Sequence, residues 1–137
     1  MNVSNEKGVV VPLIAVLIPV FLGIIGLAVD TGFMAANYFR LANAADAAAY
    51  ASLDGYDREV WESEGRIVID PQEARQLAEH YLRENMGGAS ITSFQVEETS
   101  VTIEAETNSP VFFMQLFGFS DQQLSAMAGA DLSDPND

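Results

Sequence analysis

His80 is the single histidine of the sequence, and there is no cysteine. A lone histidine builds no catalytic relay by itself. Without cysteine, thiolate nucleophiles, disulfides and Cys-type zinc sites are excluded. Carboxylates are what remains. Glu97-Glu98 and the Glu104, Glu106 pair could share acid–base work, but each lies in a segment that alternates apolar and polar residues. Such carboxylates read as the hydrated face of a strand. A second acidic group, Asp54, Asp57, Glu59, Glu62, Glu64 and Asp70, surrounds Trp61 and is rich enough in oxygen to suggest calcium. The ordered ligand spacing, the loop glycine and the closing glutamate of a calcium loop are missing, so a solvated connection is expected. There is no phosphate loop, histidine pair or nucleophile motif. The chain reads as non-enzymatic, with no catalytic residue, no cofactor and no metal ligand to name.

The elements behind these residues divide sharply by charge. From Asp30 onward there are 19 Asp or Glu against five Arg, so the formal charge of −14 sits on that part. An acidic surface does not bind nucleic acid, which needs basic side chains on phosphate, nor anionic lipid headgroups. Residues 8–29, by contrast, carry no charge and are mostly Val, Ile and Leu. A bilayer core takes about 20 apolar residues in a helix, so this segment suffices for a single N-terminal span. Lys7 favours a cytoplasmic N-terminus, residues 1–7, which puts the acidic bulk on the outer side. Pro12 suits a first helical turn, whereas Pro19 is expected to kink or loosen the helix. Gly23 and Gly26 offer a small surface where another helix could approach. Three fates fit the segment: a permanent anchor, the packed core of a filament, or a cleaved signal peptide. The last has an apolar region too long for the usual range of about 7–15 residues.

Helix character continues through 30–53, where nine residues are alanine, the best helix former. Asp54-Gly55 then offers a stop, with Gly55 suited to a left-handed cap. A helix over 9–53 would be roughly 65 Å long. Its upper half places Asp30, Asn37, Arg40, Asn43 and Asp46 among small residues. Ala35, Ala42, Ala45 and Ala49 form a face for close packing, either on the chain's own head or on neighbouring subunits.

Residues 54–132 read as a small α+β head. Asp70-Pro71-Gln72-Glu73 carries a cap, a first-position proline and a capping-box acid. Ala74, Leu77, Ala78, Tyr81 and Leu82 recur at helical spacing as one buried face, and His80 projects from the polar one. Phe94 and Val96, then Val101, Ile103 and Ala105, alternate with polar residues as two strands of a hairpin. Ser109-Pro110 is expected to cap a short helix over 111–117. Leu124, Ala126, Ala128, Ala130 and Leu132 alternate as a third strand, and 133–137 reads as a disordered acidic tail. The expected fold is a long N-terminal helix plus a three-stranded antiparallel sheet on helices, with the upper half of the long helix completing the core.

The order of certain residues is familiar. Gly8-Val9-Val10-Val11-Pro12, Ile18-Pro19-Val20, Gly26-Leu27-Ala28-Val29-Asp30, Arg40-Leu41 and Ala42-Asn43-Ala44-Ala45-Asp46-Ala47-Ala48-Ala49 together resemble the N-terminal region of TadE/TadG-type proteins of tight-adherence (Flp-type) pilus systems. A looser likeness continues through 74–85, 101–103, 110–113 and 124–126. The resemblance implies a pilin-like structural subunit or assembly component of a cell-surface filament. Such a protein is held in the cytoplasmic or inner membrane with its head outside, assembles through its N-terminal helix, and has itself or other pilus subunits as partners. Pro19, Gly23, Gly26, Asp30, Ala35, Ala42, Ala45 and Ala49 are the residues expected to serve helix packing. Lys7-Gly8 offers the cleavage side of a Flp-type prepilin site, with Gly8 as the processed residue, although position 13 is Leu where such prepilins carry Glu. The alternative is a membrane-tethered extracytoplasmic adhesin or ligand-binding module, with Trp61 or Phe112-Phe113-Met114 on the target.

Overall fold

Up to Asp54 the chain is rich in alanine and branched apolar residues, and only Pro12 and Pro19 interrupt the helical amide pattern after Gly8. In the computed structural model, which describes residues 7–132, a single helix α1 runs Lys7–Ser52. At 1.5 Å per residue its 46 residues span about 69 Å. Pro12 falls in its second turn, not its first, because the helix already runs from Lys7. The helix continues through Pro19 as well. Each ring nitrogen lacks a hydrogen, so the carbonyls of Gly8 and Ala15 lose their helical donors. The expectations for residues 1–6 and 133–137 lie outside the described residues.

The head follows as α2 (Arg58–Glu64), α3 (Pro71–Asn85), β1 (Ser90–Val96), β2 (Ser100–Ser109), a 3-10 turn (Met114–Phe117) and β3 (Gln122–Asp131). The strands form one antiparallel sheet in the order β1-β2-β3. The β2–β3 register runs without a break from Ser100 opposite Asp131 to Ser109 opposite Gln122. In β1–β2 it shifts between Ile91 and Ser93. The fold is therefore α+β, as the sequence predicts.

The core lies between the sheet and two helices. Leu41, Ala44, Ala45, Ala48, Ala49 and Leu53 of α1 and its end meet Ala74, Ala78 and Leu82 of α3, and both meet Val101, Ile103, Ala105, Ala126, Ala128 and Ala130 of the sheet. Ten of these positions hold alanine, which lets the two layers approach closely. Strand alternation sends Glu104 and Glu106 of β2 to the opposite face, together with Ser125 and Met127 of β3.

Four local details differ from the sequence reading. Residues 58–64 are helical, because the Asp57 side chain accepts from the Glu59 and Val60 amides and starts α2. This helix buries no residue, and Trp61 is exposed. Gly55 is not left-handed; Gly65 and Gly118 are the glycines at positive φ. What Gly55 supplies is clearance, since a Cβ there would stand 2.6 Å from the Ala74 nitrogen. The Gly55 carbonyl accepts from the Asp70 amide at 2.8 Å, fixing the start of α3 against the end of α1. Tyr81 is exposed, so the buried stripe of α3 is Ala74, Ala78 and Leu82. Lastly, the expected helix over 111–117 is reduced to the 3-10 turn, for a reason that lies in Asp30.

Candidate assembly and membrane-exit site

Asp30 follows directly on the uncharged segment 8–29, and its side chain is fully buried in the folded chain. A buried carboxylate must be hydrogen-bonded or it is prohibitively costly. Here the donors come from residues more than eighty positions away. The Phe112 amide donates to Oδ1 at 3.0 Å and the Met114 amide to Oδ2 at 2.7 Å. The Phe112 amide would stand in the first turn of a helix begun at Ser109-Pro110, where amides have no helical acceptor, but the Met114 amide would belong to the helical ladder and is committed to Asp30 instead. Residues 110–113 are non-helical and only a 3-10 turn follows.

One and two turns along α1 the same segment is held again. Phe33 meets Phe112 edge to face, with ring centroids 5.3 Å apart. The Asn37 side-chain amide donates to Ser109 Oγ at 2.9 Å, and both residues are buried. Ser109 is thus tied to α1 and does not cap a helix. Val111 is fully buried beside it. On the other side of Asp30, one turn toward the N-terminus, the Phe113 ring covers Gly26 so closely that a Cβ on the glycine would lie 2.6 Å from ring atoms. Gly26, Phe33, Asn37 and Asp30 therefore act as one seat for the β2–β3 connection.

Burial raises the pKa of the Asp30 carboxyl, while the amides of Met114, Phe112 and Phe113 lower it and prevail. The group, one residue outside the apolar segment, is held below its ordinary value of 3.8 and is ionised at neutral pH.

The residues expected to serve helix packing fall into three settings. Pro19 and Gly23 lie on the free lower half of α1, and no atom lies within 4 Å of the place a Gly23 Cβ would occupy. Gly26, Asp30, Ala45 and Ala49 are buried against the chain's own head. Ala42 is half-buried at its margin, and Ala35 is exposed on the far side. Gly8 is exposed near the helix start. Of the alanine face, Ala45 and Ala49 thus pack on the chain's own head and Ala35 does not.

The apolar part of α1 is long and hydrophobic enough to cross a membrane, and its most apolar window has none of its residues buried. Val9, Val11, Val16, Phe21, Ile24 and Ile25 all face outward. Residues 8–54 match the Tad family model, described as "Putative Flp pilus-assembly TadE/G-like". The Tad match takes in nearly all of α1 and ends at Asp54, so it covers the anchor segment and the helical half of the Asp30 seat. The looser likeness at 74–126 lies beyond the matched residues. Neither the curated proteins nor the solved structures give a match. The Tad match and the apolar helix fit a pilus-related role, with membrane association through α1.

The remaining candidate chemistry is dispersed. His80 is on the surface, 3.4 Å from Glu84 one turn on, and edge to face with Tyr81. Glu104 accepts from Ser125 Oγ at 3.0 Å on the outer face of the sheet. Among the described residues no three His, Asp or Glu converge on a point where a metal ion could sit. Asp30 is the residue of this seat that the sequence places on α1 without revealing its contacts. An acid at the end of an apolar run is visible there, but its partners are not.

Proposed function

We propose that the chain is a non-enzymatic structural subunit or assembly component of a Tad/Flp-type pilus or a related cell-surface filament. The observation that carries this reading is the apolar helix over 8–29, left uncovered by the folded head except at Gly26 and lying within the residues that match the family model. Apolar surface on this scale is unstable in water. It has two homes, a bilayer before assembly and a bundle of like helices after it. In the first state α1 crosses the membrane once, with Lys7 inside and the acidic head outside. In the second, the free face of α1 meets neighbouring subunits. Phe21, Ile25, Ala28, Gly32, Ala35 and Phe39 recur at three- and four-residue spacing on the side opposite the head, and all are exposed. Spacing of this kind places them on one stripe of a helix.

The test is to shear filaments from cells that express the tagged chain and to treat them with protease. A structural subunit co-purifies with the filaments, and residues 8–53 survive digestion. A chain found only in the membrane fraction, with filaments of normal number formed in its absence, would overturn the proposal.

A further inference from the structure

The connection between β2 and β3 combines two features that differ from the rest of the head. It is uncharged from Pro110 to Ser120 within an otherwise strongly acidic domain. It is also the most exposed apolar part of the head: Leu116 is 80% accessible, Phe117 67%, and Phe112 and Phe119 54% each. The fold does not leave its position open. Phe113 rests on Gly26, which lies inside the uncharged segment, three residues before its end. At 1.5 Å per residue that contact is about 5 Å within the apolar stretch. If α1 spans the bilayer, the loop has to be at the level of the outer headgroups.

We infer that residues 110–120 form a second membrane contact, in which Phe112, Leu116, Phe117 and Phe119 lie in the outer interfacial layer beside the exit of α1. The inference rests on the reading that residues 8–29 cross the membrane. Aromatic side chains favour this layer, where an apolar body meets a polar boundary. Non-helical backbone near lipid is tolerated when its polar groups are satisfied by protein. Asp30 does this for the Phe112 and Met114 amides, and the 3-10 turn uses further carbonyls and amides internally, as in Leu116 to Phe113 and Gly118 to Gln115. Lipid is favoured over another copy of the chain as the occupant because the patch is continuous with the lipid-facing surface of α1 at one level. The lack of charge in the loop and the acidity of the head make a neutral headgroup the suitable one.

The experiment uses the full chain in phosphatidylcholine vesicles that carry no bromine, bromine near the glycerol end of the acyl chains, or bromine near their terminal methyl groups. Trp61, on α2 past the far end of α1, is the single tryptophan. In a Trp61→Phe background, Phe117→Trp and, separately, Leu116→Trp report on the loop, and Val20→Trp reports on the span. We expect the shallow bromine to quench either loop probe more strongly than the deep bromine does, as for interfacial aromatics, and the deep bromine to quench the span probe more strongly than the shallow one. The same quenching at low and high protein-to-lipid ratio supports lipid as the occupant. Loop probes that are not quenched while Val20→Trp is quenched would overturn the inference and leave the span intact. Loop emission that shifts only as protein density rises would also overturn it, in favour of another copy of the chain. If Val20→Trp is not quenched either, the spanning reading itself has failed, and this inference with it.

Discussion

Asp30 joins two parts of the chain that are 82 and 84 residues apart in sequence, and it does so through backbone amides. The identity of the donor side chains is therefore immaterial, whereas the acceptor must be a short carboxylate. Asp30→Asn keeps one acceptor oxygen but turns an NH2 toward amides that also donate. We expect the Phe112 and Met114 amides to exchange hydrogen at least about tenfold faster in this variant, with little change in the strands, as measured by site-resolved exchange on the full chain. The pH dependence follows in sign. A carboxyl held below 3.8 when folded binds fewer protons than it does unfolded, so its contribution is complete above that value and is lost as pH falls through the lower folded one. Exchange at these two amides should accelerate on acidification through that window after correction for intrinsic rates, and Asp30→Asn should abolish the acceleration. The sequence places Asp30 on the helix and cannot give it a partner, because periodicity records only near neighbours. Gly55 is a similar case. Its type marks the end of α1, but the demand on it is the approach of the Ala74 backbone, a tertiary fact.

At the scale of elements, local signals and tertiary consequences separate most clearly in the two short helices. Both α2 and α3 begin on an aspartate whose side chain accepts from two amides of the first turn. The caps are chemically alike, yet α3 buries Ala74, Ala78 and Leu82 while α2 buries nothing. Asp70→Ala should therefore lower the unfolding free energy of the head by about 1 kcal/mol, the usual worth of such a cap. Asp57→Ala should fray α2 and leave global stability within about 0.5 kcal/mol. Denaturant unfolding in detergent, with helix content followed by circular dichroism, distinguishes the two. The Asp70 cap is legible in the sequence because cap, proline and capping-box acid stand in order. Asp57 reads as one more acid in a solvated run, since α2 has no apolar periodicity to draw attention to its start. The strands are legible from alternation alone, and Val101, Ile103 and Ala105 are indeed buried. At residues 110–117 the sequence misleads for a physical reason: a cap-like Ser-Pro before apolar residues is a helix start in isolation, and here the seat on α1 engages the Ser109 hydroxyl and takes the Met114 amide that such a helix would use.

For the whole molecule, α1 divides by face as well as by length. Below about Gly26 all its faces are free of the head. Above it, one face carries Asp30, Asn37, Leu41, Ala44, Ala45, Ala48 and Ala49 into the core, and the opposite face carries Gly32, Ala35, Phe39, Asn43, Asp46 and Tyr50 outward. An inward alanine and an outward alanine are indistinguishable by residue type, yet they should respond oppositely to the same change. Ala45→Arg forces a charge into a closed core between α1, α3 and the sheet, and loss of the folded head is expected, by several kcal/mol. Ala35→Arg touches none of that core. The head should keep its circular dichroism and its unfolding free energy to within about 0.5 kcal/mol. If subunits meet through the outward face, the same substitution should prevent filament formation, because close helix contact leaves no room for a long charged side chain. The measurement is electron microscopy and high-speed pelleting of cells or reconstituted particles, paired with the unfolding curve of the same protein. Filaments of normal length from a chain carrying Ala35→Arg would place subunit contacts elsewhere, on the lower half of α1 alone. A folded, membrane-bound protein that forms no filaments would assign the outward stripe to assembly and the inward one to the head.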